Sequence, residues 1–405
     1  MISLKHRLMH FGAPTIRSGA ALFVLGLSAC GPSQNSATNG QVAQANIAVQ
    51  PTPVMSSNAV LVTQSQAGNA VVDTNAAASF AADASAASLP GPGHAIDAAT
   101  FQTASARRQT KLAYDPTLLK AEVLLDRAGF SPGVIDGRDG TNLQHALEAF
   151  ATAHGLTSNG ALDIASWNAL TGADAAPAMQ SYVITADDEA GPFIGTPPKD
   201  YQALSQLPAL GYTTPLQELA EKFHMDQKLL QALNPGADFS KVGQTLLVAA
   251  PRAGPRDMEV IRIEVDKSDD EVRAFGADGK LLAFYPATVG STERPAPSGV
   301  FAVTAVAPHP AYFYDPARLT FTPEGAKGKL RIAPGPNNPV GSTWIALTVP
   351  TYGIHGSPDP STIGKRQSHG CVRLTNWDAV ELGKSVKKGV QVAFVGQDKT
   401  PGAKA

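Results

Sequence analysis

The chain reads Tyr-Gly-Ile-His-Gly-Ser at residues 352–357 and Ser-His-Gly-Cys-Val-Arg-Leu at residues 368–374. The second stretch contains Cys371, which His355 and His369 precede by sixteen and two residues. On a strand, His369 would face the same side as the cysteine, whereas His355 would approach it across a loop, so either imidazole is a candidate base. The glycines keep nearby backbone N–H groups uncovered. A thiol, an imidazole and bare amides are the minimum set for covalent acyl transfer, which indicates an enzyme.

Two other interpretations of Cys371 are open from the residues alone. The cysteine could be an inert core residue, although an oxidisable thiol without a use is a liability. It could also join His355 and His369 as a zinc ligand. No fourth ligand is evident, however, and the short Cys and His spacings typical of zinc sites are missing from the sequence. Acyl transfer is therefore the preferred interpretation, and no metal is predicted.

The two stretches resemble the signature of the L,D-transpeptidases with a YkuD-like catalytic domain. That signature has a His-Gly or His-Ser pair, an intervening loop, and then Ser/Thr-His-Gly-Cys followed by a hydrophobic residue. The chain matches it throughout, and the stretches at residues 334–341 and 375–378 also fit. The resemblance predicts a catalytic domain over residues 256–397.

The resemblance implies a role for each reactive residue. Cys371 is the nucleophile, and His355 is the base, oriented by the carbonyl group of Gly356. His369 shapes the pocket, and Ser368 supports it. The catalytic residues implied in this way are Cys371, His355, Gly356, His369, Gly370 and Ser368.

Arg373 and Tyr352 are the residues predicted to bind substrate. Arg373 would engage a substrate carboxylate, although an arginine in such a loop could instead form a structural ion pair. Tyr352, like Tyr312, Tyr314 and Trp344, could line the cleft, whereas aromatic residues of a β domain are usually core. The resemblance implies no metal and no organic cofactor.

Apolar residues with a period of two begin near residue 259. Ile261, Ile263 and Val265 alternate with charged residues, which predicts a half-buried strand. Further strands are predicted over residues 271–276, 280–290, 300–306, 343–349 and 390–395. Thr375 and Asp378 form a capping-box pattern ahead of one helix. The catalytic domain is therefore predicted to be a mostly β sandwich or barrel with one helix.

Residues 113–173 are predicted to form a small three-helix domain. Apolar residues recur at helical spacing over residues 118–128, 143–150 and 164–170. The turns Gly-Val-Ile-Asp-Gly at residues 133–137 and Gly-Leu-Thr-Ser-Asn-Gly-Ala-Leu-Asp at residues 155–163 resemble those of a peptidoglycan-binding domain. A generic helical spacer is the alternative.

Residues 178–251 are predicted to form a βααβ module that resembles a LysM repeat, which is a glycan-binding fold. A strand near residue 182, two short helices, and a closing strand after Val-Gly-Gln at residues 242–244 carry the likeness. The module departs from the usual pattern by an insertion between about residues 191 and 211. Glycan binding and a degenerate module that only packs are both open.

Residues 1–30 are predicted to be a bacterial lipoprotein signal peptide. A basic start precedes an apolar run at residues 19–27 that is too short to span a bilayer. The run leads into Leu-Ser-Ala-Cys at residues 27–30, which resembles a lipobox with Cys30 as the lipidated residue. An ordinary secretory signal is the alternative. Gly31, in place of the aspartate that often retains lipoproteins at the inner membrane, favours outer-membrane attachment facing the periplasm.

Residues 31–112 are rich in small and amide side chains and low in charge, which predicts a disordered linker. As a flexible coil, such a segment would span on the order of 50 Å. A lipid-anchored protein with this tether could search a layer at some distance from its membrane.

These features predict a periplasmic, lipid-anchored peptidoglycan L,D-transpeptidase that forms 3→3 cross-links through a Cys371 thioester. Its expected partners are the stem peptides and glycan of peptidoglycan and the outer membrane, while the net charge of −2 gives no reason to expect nucleic acid. Three alternatives use the same modules. They are an L,D-carboxypeptidase with water as acceptor, a transpeptidase that attaches an outer-membrane protein to the wall, and a non-catalytic wall-binding tether.

Overall fold

The computed structural model of the chain describes residues 91–107, 113–317, 322–366, 368 and 370–398. All described residues belong to one compact unit. The predicted signal peptide with Cys30, residues 31–90 of the predicted linker, and His369 lie outside the described residues. Among the described residues, no helix combines the length and apolar character needed to cross a membrane.

Five helices come first in the described chain. They are α1 (Gly91–Asp97), α2 (Ala104–Arg107), α3 (Pro116–Ala128), α4 (Thr141–Ala153) and α5 (Ile164–Ala173). The carboxylates of Asp115 and Asp163 accept backbone N–H groups at the starts of α3 and α5, and α3 ends at Gly129, whose φ is 87°. α3, α4 and α5 share one apolar core, so the predicted three-helix region is confirmed.

The predicted linker is too long at its C-terminal end, because residues 91–107 are partly helical. Ile96 of α1 is fully buried in the core of the next module. The carboxylate of Asp97 accepts the N–H groups of Ala178 and Met179 at 2.7 and 3.1 Å, and the Lys120 ammonium donates to the Asp97 carbonyl at 2.6 Å. The helical structure in residues 91–107 therefore depends on tertiary contacts of a few residues and not on a periodic apolar pattern.

The second module is built on a two-stranded antiparallel sheet. Its elements are β1 (Met179–Val183), α6 (Ala186–Ala190), α7 (Tyr201–Leu204), α8 (Pro215–Lys222), α9 (Gln227–Leu233) and β2 (Thr245–Ala249). β1 pairs with β2 over its whole length. The order is the predicted β, two helices, β, with the short helices α6 and α7 added before α8. α7 belongs to the predicted insertion.

The third module contains eleven strands and one α-helix. The strands are β3 (Arg262–Asp266), β4 (Glu271–Phe275), β5 (Leu281–Pro286), β6 (Thr288–Val289), β7 (Gly299–Pro308), β8 (Tyr312–Tyr314), β9 (Leu330–Ile332), β10 (Thr343–Leu347), β11 (Gly353–His355), β12 (Val372–Arg373) and β13 (Gln391–Val395). A 3₁₀ turn spans Pro360–Thr362, and α10 spans Asn376–Ser385. The prediction of a mostly β domain with one helix is confirmed.

Nine of these strands form one sheet that curls back on itself. Their order is β5-β4-β3-β13-β7-β10-β11-β12-β6, while β8 and β9 form a separate hairpin. The two ends of that order, β5 and β6, are separated in the chain only by Ala287. The sheet edges therefore meet, which gives a barrel-like shape around an apolar core that also receives one face of α10.

The helix α10 is held against both earlier modules. The hydroxyl of Thr375 caps it by accepting the N–H of Asp378 at 3.1 Å, which is one half of the predicted capping box. The Asp378 carboxylate also accepts the hydroxyl of Ser131, from the helical module, at 2.9 Å. Glu381 pairs with Arg256 at 2.7 Å. These contacts fix the helix that follows the reactive segment.

Candidate active site

Two short parallel strands place the reactive segments next to each other. β11 pairs with β12, with His355 opposite Arg373, and the N–H of Leu374 donates to the carbonyl oxygen of His355 at 2.8 Å. Cys371 is the residue directly before β12. The imidazole therefore lies at the end of one strand, and the thiol lies on the residue that precedes the adjacent strand.

His355 is held as a neutral base. Its Nδ1 lies 2.7 Å from the carbonyl oxygen of Gly356. Because a carbonyl oxygen can only accept, Nδ1 carries the proton and the neutral ring leaves Nε2 free to take another. The ring stacks on Trp344, with centroids 5.4 Å apart. Burial and the nearby Arg373 guanidinium lower the pKa of His355 from 6.5 to about 3, against the opposing effect of the Gly356 carbonyl.

Gly356 has no room for a side chain because Asn376 fills that space. A Cβ at Gly356 would overlap the Oδ1 atom of Asn376 and lie 3.1 Å from the backbone nitrogen of Ser342. Gly341, with a φ of 62°, is crowded by the same oxygen. That oxygen accepts the N–H of Ser342 at 2.9 Å. Asn376 thus fixes the loop whose carbonyl orients His355.

Cys371 is a half-buried free cysteine. Its Sγ lies 3.8 Å from the carbonyl oxygen of Thr351. Burial raises the pKa of the thiol, while the N–H of Gly353 and the charge of Arg373 lower it. Thiol and imidazole are consequently both neutral near pH 7, so the resting site holds no thiolate–imidazolium pair. A base would therefore have to take the thiol proton as the sulfur attacks.

The loop before Cys371 is braced by Ser368. The Ser368 hydroxyl donates to the carbonyl oxygen of Cys371 at 2.6 Å and accepts the N–H of Gly370 at 3.3 Å. Gly370 has a φ of 106°, and a Cβ there would lie 2.9 Å from the ring of Tyr352. The Gly370 N–H is therefore not free to face an oxyanion in this arrangement, because the Ser368 hydroxyl already accepts it. The Cys371 N–H is the better donor, since no acceptor for it is found within the described part of the chain.

Arg373 is a half-buried cation without a carboxylate partner among the described residues. Burial lowers its pKa, and it interacts electrostatically with Cys371, Tyr201 and Tyr312. The alternative of a structural ion pair is therefore not supported. A guanidinium left unpaired beside a nucleophile is suited to a substrate anion, and that role stays a prediction.

The sequence missed two residues of the site. Asn376 lies in a stretch that fits the family signature, but nothing in its residue type announces its contact with Gly356. Tyr201 lies in the insertion of the second module, far from Cys371 in the chain, and reaches the site only through the fold. Tyr312, one of the aromatic residues expected in the cleft, is there, with its pKa raised by burial and by Tyr201 and Cys371.

One cluster of three potential metal ligands exists in the described ranges, and it is formed by Asp266, Asp269 and Glu271. It lies on the turn between β3 and β4 and includes neither Cys371 nor His355. The zinc alternative needs His369, which lies outside the described residues, so it is neither supported nor tested.

Two protein-family models match the chain. The L,D-transpeptidase catalytic domain matches residues 261–394, and the model described as "Putative peptidoglycan binding domain" matches residues 115–170. The first range contains all the reactive residues named above. Tyr201 lies between the two ranges.

Individual proteins show the same similarity. The chain is 29% identical over 179 residues to "Putative L,D-transpeptidase YkuD" of Bacillus licheniformis, covering 44% of the chain and 92% of that relative. It is 30% identical over 152 residues to "Putative L,D-transpeptidase YqjB" of Bacillus subtilis, covering 36% of the chain and 76% of that relative. Among solved structures, an L,D-transpeptidase from Mycobacterium smegmatis aligns with a TM-score of 0.28 and 21% identity, over 38% of the chain and 64% of that protein.

Proposed function

The chain belongs to the L,D-transpeptidase family, and on this premise we infer that it is a peptidoglycan L,D-transpeptidase whose nucleophile is Cys371. One observation carries the inference. The pairing of β11 with β12 places the thiol, on the residue before β12, next to the strand that carries an imidazole. Gly356 orients this imidazole and burial keeps it neutral. An uncompensated guanidinium lies beside them.

Acylation begins when the donor stem peptide reaches the thiol. The Cys371 sulfur attacks the carbonyl carbon of the third stem residue, which the family implies to be meso-diaminopimelate, and its proton passes to Nε2 of His355. The developing oxyanion is stabilised by backbone N–H donors, of which Cys371 supplies one. The bond to the terminal D-alanine then breaks, and the imidazolium returns the proton to the leaving amine.

The second half of the reaction uses the same two residues. The side-chain amine of a neighbouring stem attacks the thioester carbonyl, and His355 takes a proton from that amine. The bond between carbon and sulfur breaks, the sulfur recovers the proton from the imidazolium, and a 3→3 cross-link is released. No step in this sequence requires a metal ion or an organic cofactor.

The acyl-enzyme is tested by incubating the protein with a carbapenem and measuring its intact mass. Wild type is expected to gain one carbapenem mass, and Cys371→Ala is expected to gain none. Cys30→Ala removes the only other cysteine and is expected to keep the adduct. An unmodified wild type, or an equal adduct on Cys371→Ala, would contradict the proposal.

The acceptor decides between the proposed cross-linking and two related activities. Water would make the protein an L,D-carboxypeptidase, and a protein amine would attach an outer-membrane protein to the wall. Muropeptide analysis after reaction on purified sacculi distinguishes them. We expect 3→3 dimers. Trimmed tripeptides alone indicate the carboxypeptidase, and a protein-linked tripeptide indicates wall attachment.

The helical region and the second module extend contact with the wall. The match to a peptidoglycan-binding domain supports wall binding by residues 115–170. For the LysM-like module we favour packing over glycan binding, since Gln217 of α8 donates to the Asn337 side chain at 3.0 Å and Asn376 donates to Glu221 at 3.1 Å. The preference for packing would be contradicted if Cys371→Ala still bound isolated glycan strands and mutations in α8 abolished that binding.

A periplasmic, lipid-anchored location is the part of the proposal that rests on the N-terminal sequence alone. The lipobox-like ending at Cys30 and the Gly31 that follows it favour the outer membrane. Metabolic labelling with a fatty acid, followed by membrane fractionation, tests this. Label on wild type and none on Cys30→Ala is expected, and an unlabelled, freely released wild type would exclude the anchor. A wall-binding tether without catalysis is the remaining alternative, and the carbapenem adduct on Cys371 argues against it if observed.

A further inference from the structure

The insertion of the second module reaches the catalytic site. Tyr201 is the first residue of α7, and the carboxylate of Asp200 caps this turn by accepting the N–H of Ala203 at 2.7 Å. The ring of Tyr201 makes edge contacts with Tyr312 and Tyr314 of β8, with centroids 6.3 and 6.4 Å apart. A segment outside the catalytic domain therefore packs on the hairpin that borders the thiol.

Backbone hydrogen bonds hold the insertion in place. The N–H of Tyr201 donates to the carbonyl oxygen of Glu324 at 2.8 Å. The N–H of Leu210 donates to the Pro334 carbonyl at 2.8 Å, and the Leu210 carbonyl accepts the N–H of Asn337 at 3.0 Å. The middle and the C-terminal end of the insertion are thus tied to residues 324–337, which contain β9 and the loop after it.

An apolar cluster and a close backbone approach complete this contact. Leu204 and Leu210 of the insertion pack with Ile332 and Ala333, and all four are buried. Gly335, at a φ of 143°, lies so close to the Leu210 carbonyl that a Cβ would collide with it. The insertion is consequently held in a fixed position against the β8–β9 hairpin.

Three polar groups belong to this contact, namely the hydroxyls of Tyr201 and Tyr312 and the guanidinium of Arg373. Arg373 interacts electrostatically with Cys371, Tyr312 and Tyr201. Burial raises the pKa of Tyr201, and the charge of Arg373 opposes this. Among the described residues, neither phenol hydroxyl has a hydrogen-bond partner, and no carboxylate pairs with the guanidinium. All three residues are half-buried, so their donors are accessible to a ligand that enters beside Cys371.

We propose that Tyr201 is a donor-binding residue, whose hydroxyl acts with that of Tyr312 and with the Arg373 guanidinium to hold one carboxylate of the donor stem peptide beside Cys371. This rests on the proposed transpeptidase function. The ligand chemistry follows from the groups present, because two hydroxyl donors and a guanidinium match a carboxylate and would leave a carboxamide partly unsatisfied. The second module therefore completes the active site instead of serving only as an anchor.

The test compares wild type with Tyr201→Phe, which keeps the ring contacts and removes only the hydroxyl. The substrate is the stem tetrapeptide, and the readout is the rate of acyl-enzyme formation by intact mass as a function of donor concentration. Loss of a hydrogen bond to a charged group predicts a donor KM raised about tenfold or more, with kcat within about twofold. Tyr114→Phe, a substitution in the helical region, is the matched control and should leave both constants unchanged.

Donor analogues then identify the ligand group. Each carboxylate of the tetrapeptide is replaced in turn by a carboxamide. One replacement should raise the KM of wild type about tenfold and have little effect on Tyr201→Phe, because the two changes remove the same interaction. The assignment would be overturned if, for every analogue, the increase in KM from the carboxamide simply added to the increase from Tyr201→Phe.

The outcomes separate this inference from the function on which it rests. If wild type forms no acyl-enzyme with the tetrapeptide or a carbapenem, the proposed function fails. If wild type acylates and Tyr201→Phe shows the same KM and kcat, only the role of Tyr201 fails. Tyr201→Ala could also lose acylation and show a lower thermal midpoint while Tyr201→Phe reacts as wild type does. That result would show a purely structural role for Tyr201 and would overturn the proposal.

Discussion

The side-chain amide of Asn376 donates to both carboxylate oxygens of Glu221, at 3.1 Å each. Glu221 belongs to α8 of the second module, and Asn376 opens the helix that follows the nucleophile. The other end of the Asn376 side chain accepts the N–H of Ser342 and limits residue 356 to glycine. One amide therefore links the second module to the loop that orients His355. Burial raises the pKa of Glu221 to about 7, although Asn376 and Tyr212 oppose this by donating to it.

Substitutions at Glu221 should separate hydrogen bonding from charge. Glu221→Gln keeps an oxygen for Asn376, and its free energy of unfolding should lie within about 1 kcal/mol of wild type. Glu221→Ala leaves the Asn376 amide only the Pro336 carbonyl as acceptor, and its free energy of unfolding should fall by about 1–3 kcal/mol. Urea unfolding measures both. Equal stability of the two variants would show that the contact contributes nothing.

Gly356→Ala should damage the site without unfolding the protein. The new Cβ meets Asn376 Oδ1, so the loop must shift and the carbonyl that orients His355 must move with it. We expect acylation by a carbapenem to slow at least about tenfold, since misplacing a catalytic base by a small distance is costly. Gly172→Ala in α5, where a Cβ meets no atom within 4 Å, is the control and should react as wild type does.

The ionisation of Cys371 and His355 predicts an unusual pH dependence. With the pKa of His355 lowered to about 3, the imidazole remains a neutral base through mildly acidic pH, so acylation should show no loss near pH 6.5, where an ordinary histidine protonates. With the thiol pKa raised, alkylation of the resting enzyme by iodoacetamide should be slow at pH 7 and increase into alkaline pH. Fast alkylation at pH 6 would instead indicate a preformed thiolate.

Much of the catalytic domain could be predicted because its signals are local. Alternating apolar residues marked β3, and Thr375 marked the start of α10. Tyr201 could not be predicted in the same way, since its place depends on how an insertion of another module folds over β8 and β9. The helix α1 was missed for a similar reason, because one buried isoleucine and one carboxylate order a segment with a linker-like composition.

The reactive site shows the same division. Residue types and spacing indicated a nucleophile and two candidate bases, and the family resemblance implied His355 as the base with Gly356 to orient it. They could not show that the Ser368 hydroxyl accepts the N–H of Gly370, since a serine side chain can adopt several rotamers. They also could not show that Asn376 is the reason for Gly356, because the two residues meet only after α10 docks on the sheet.

Asp378 is fully buried, and its carboxyl group accepts a hydrogen bond from the Ser131 hydroxyl. Burial raises its pKa from 3.8 to about 7, with the hydrogen bond from Thr375 opposing this and Asp126 adding to it. Between pH 4 and pH 7 the folded protein therefore binds more protons at this site than the unfolded chain. The stabilisation from this group is complete below the ordinary pKa and is lost as the pH rises to about 7.

Asp378→Asn should remove that dependence. The asparagine oxygen can still accept from Ser131, and no proton is bound or released at this position. We expect the free energy of unfolding of wild type, relative to Asp378→Asn, to fall steadily as the pH rises from 4.5 to 7.5, in urea titrations at constant ionic strength. Ser131→Ala is the control, since it removes the partner and leaves the titrating group. A difference between wild type and Asp378→Asn that does not change with pH would show that the carboxyl group titrates normally in the folded protein.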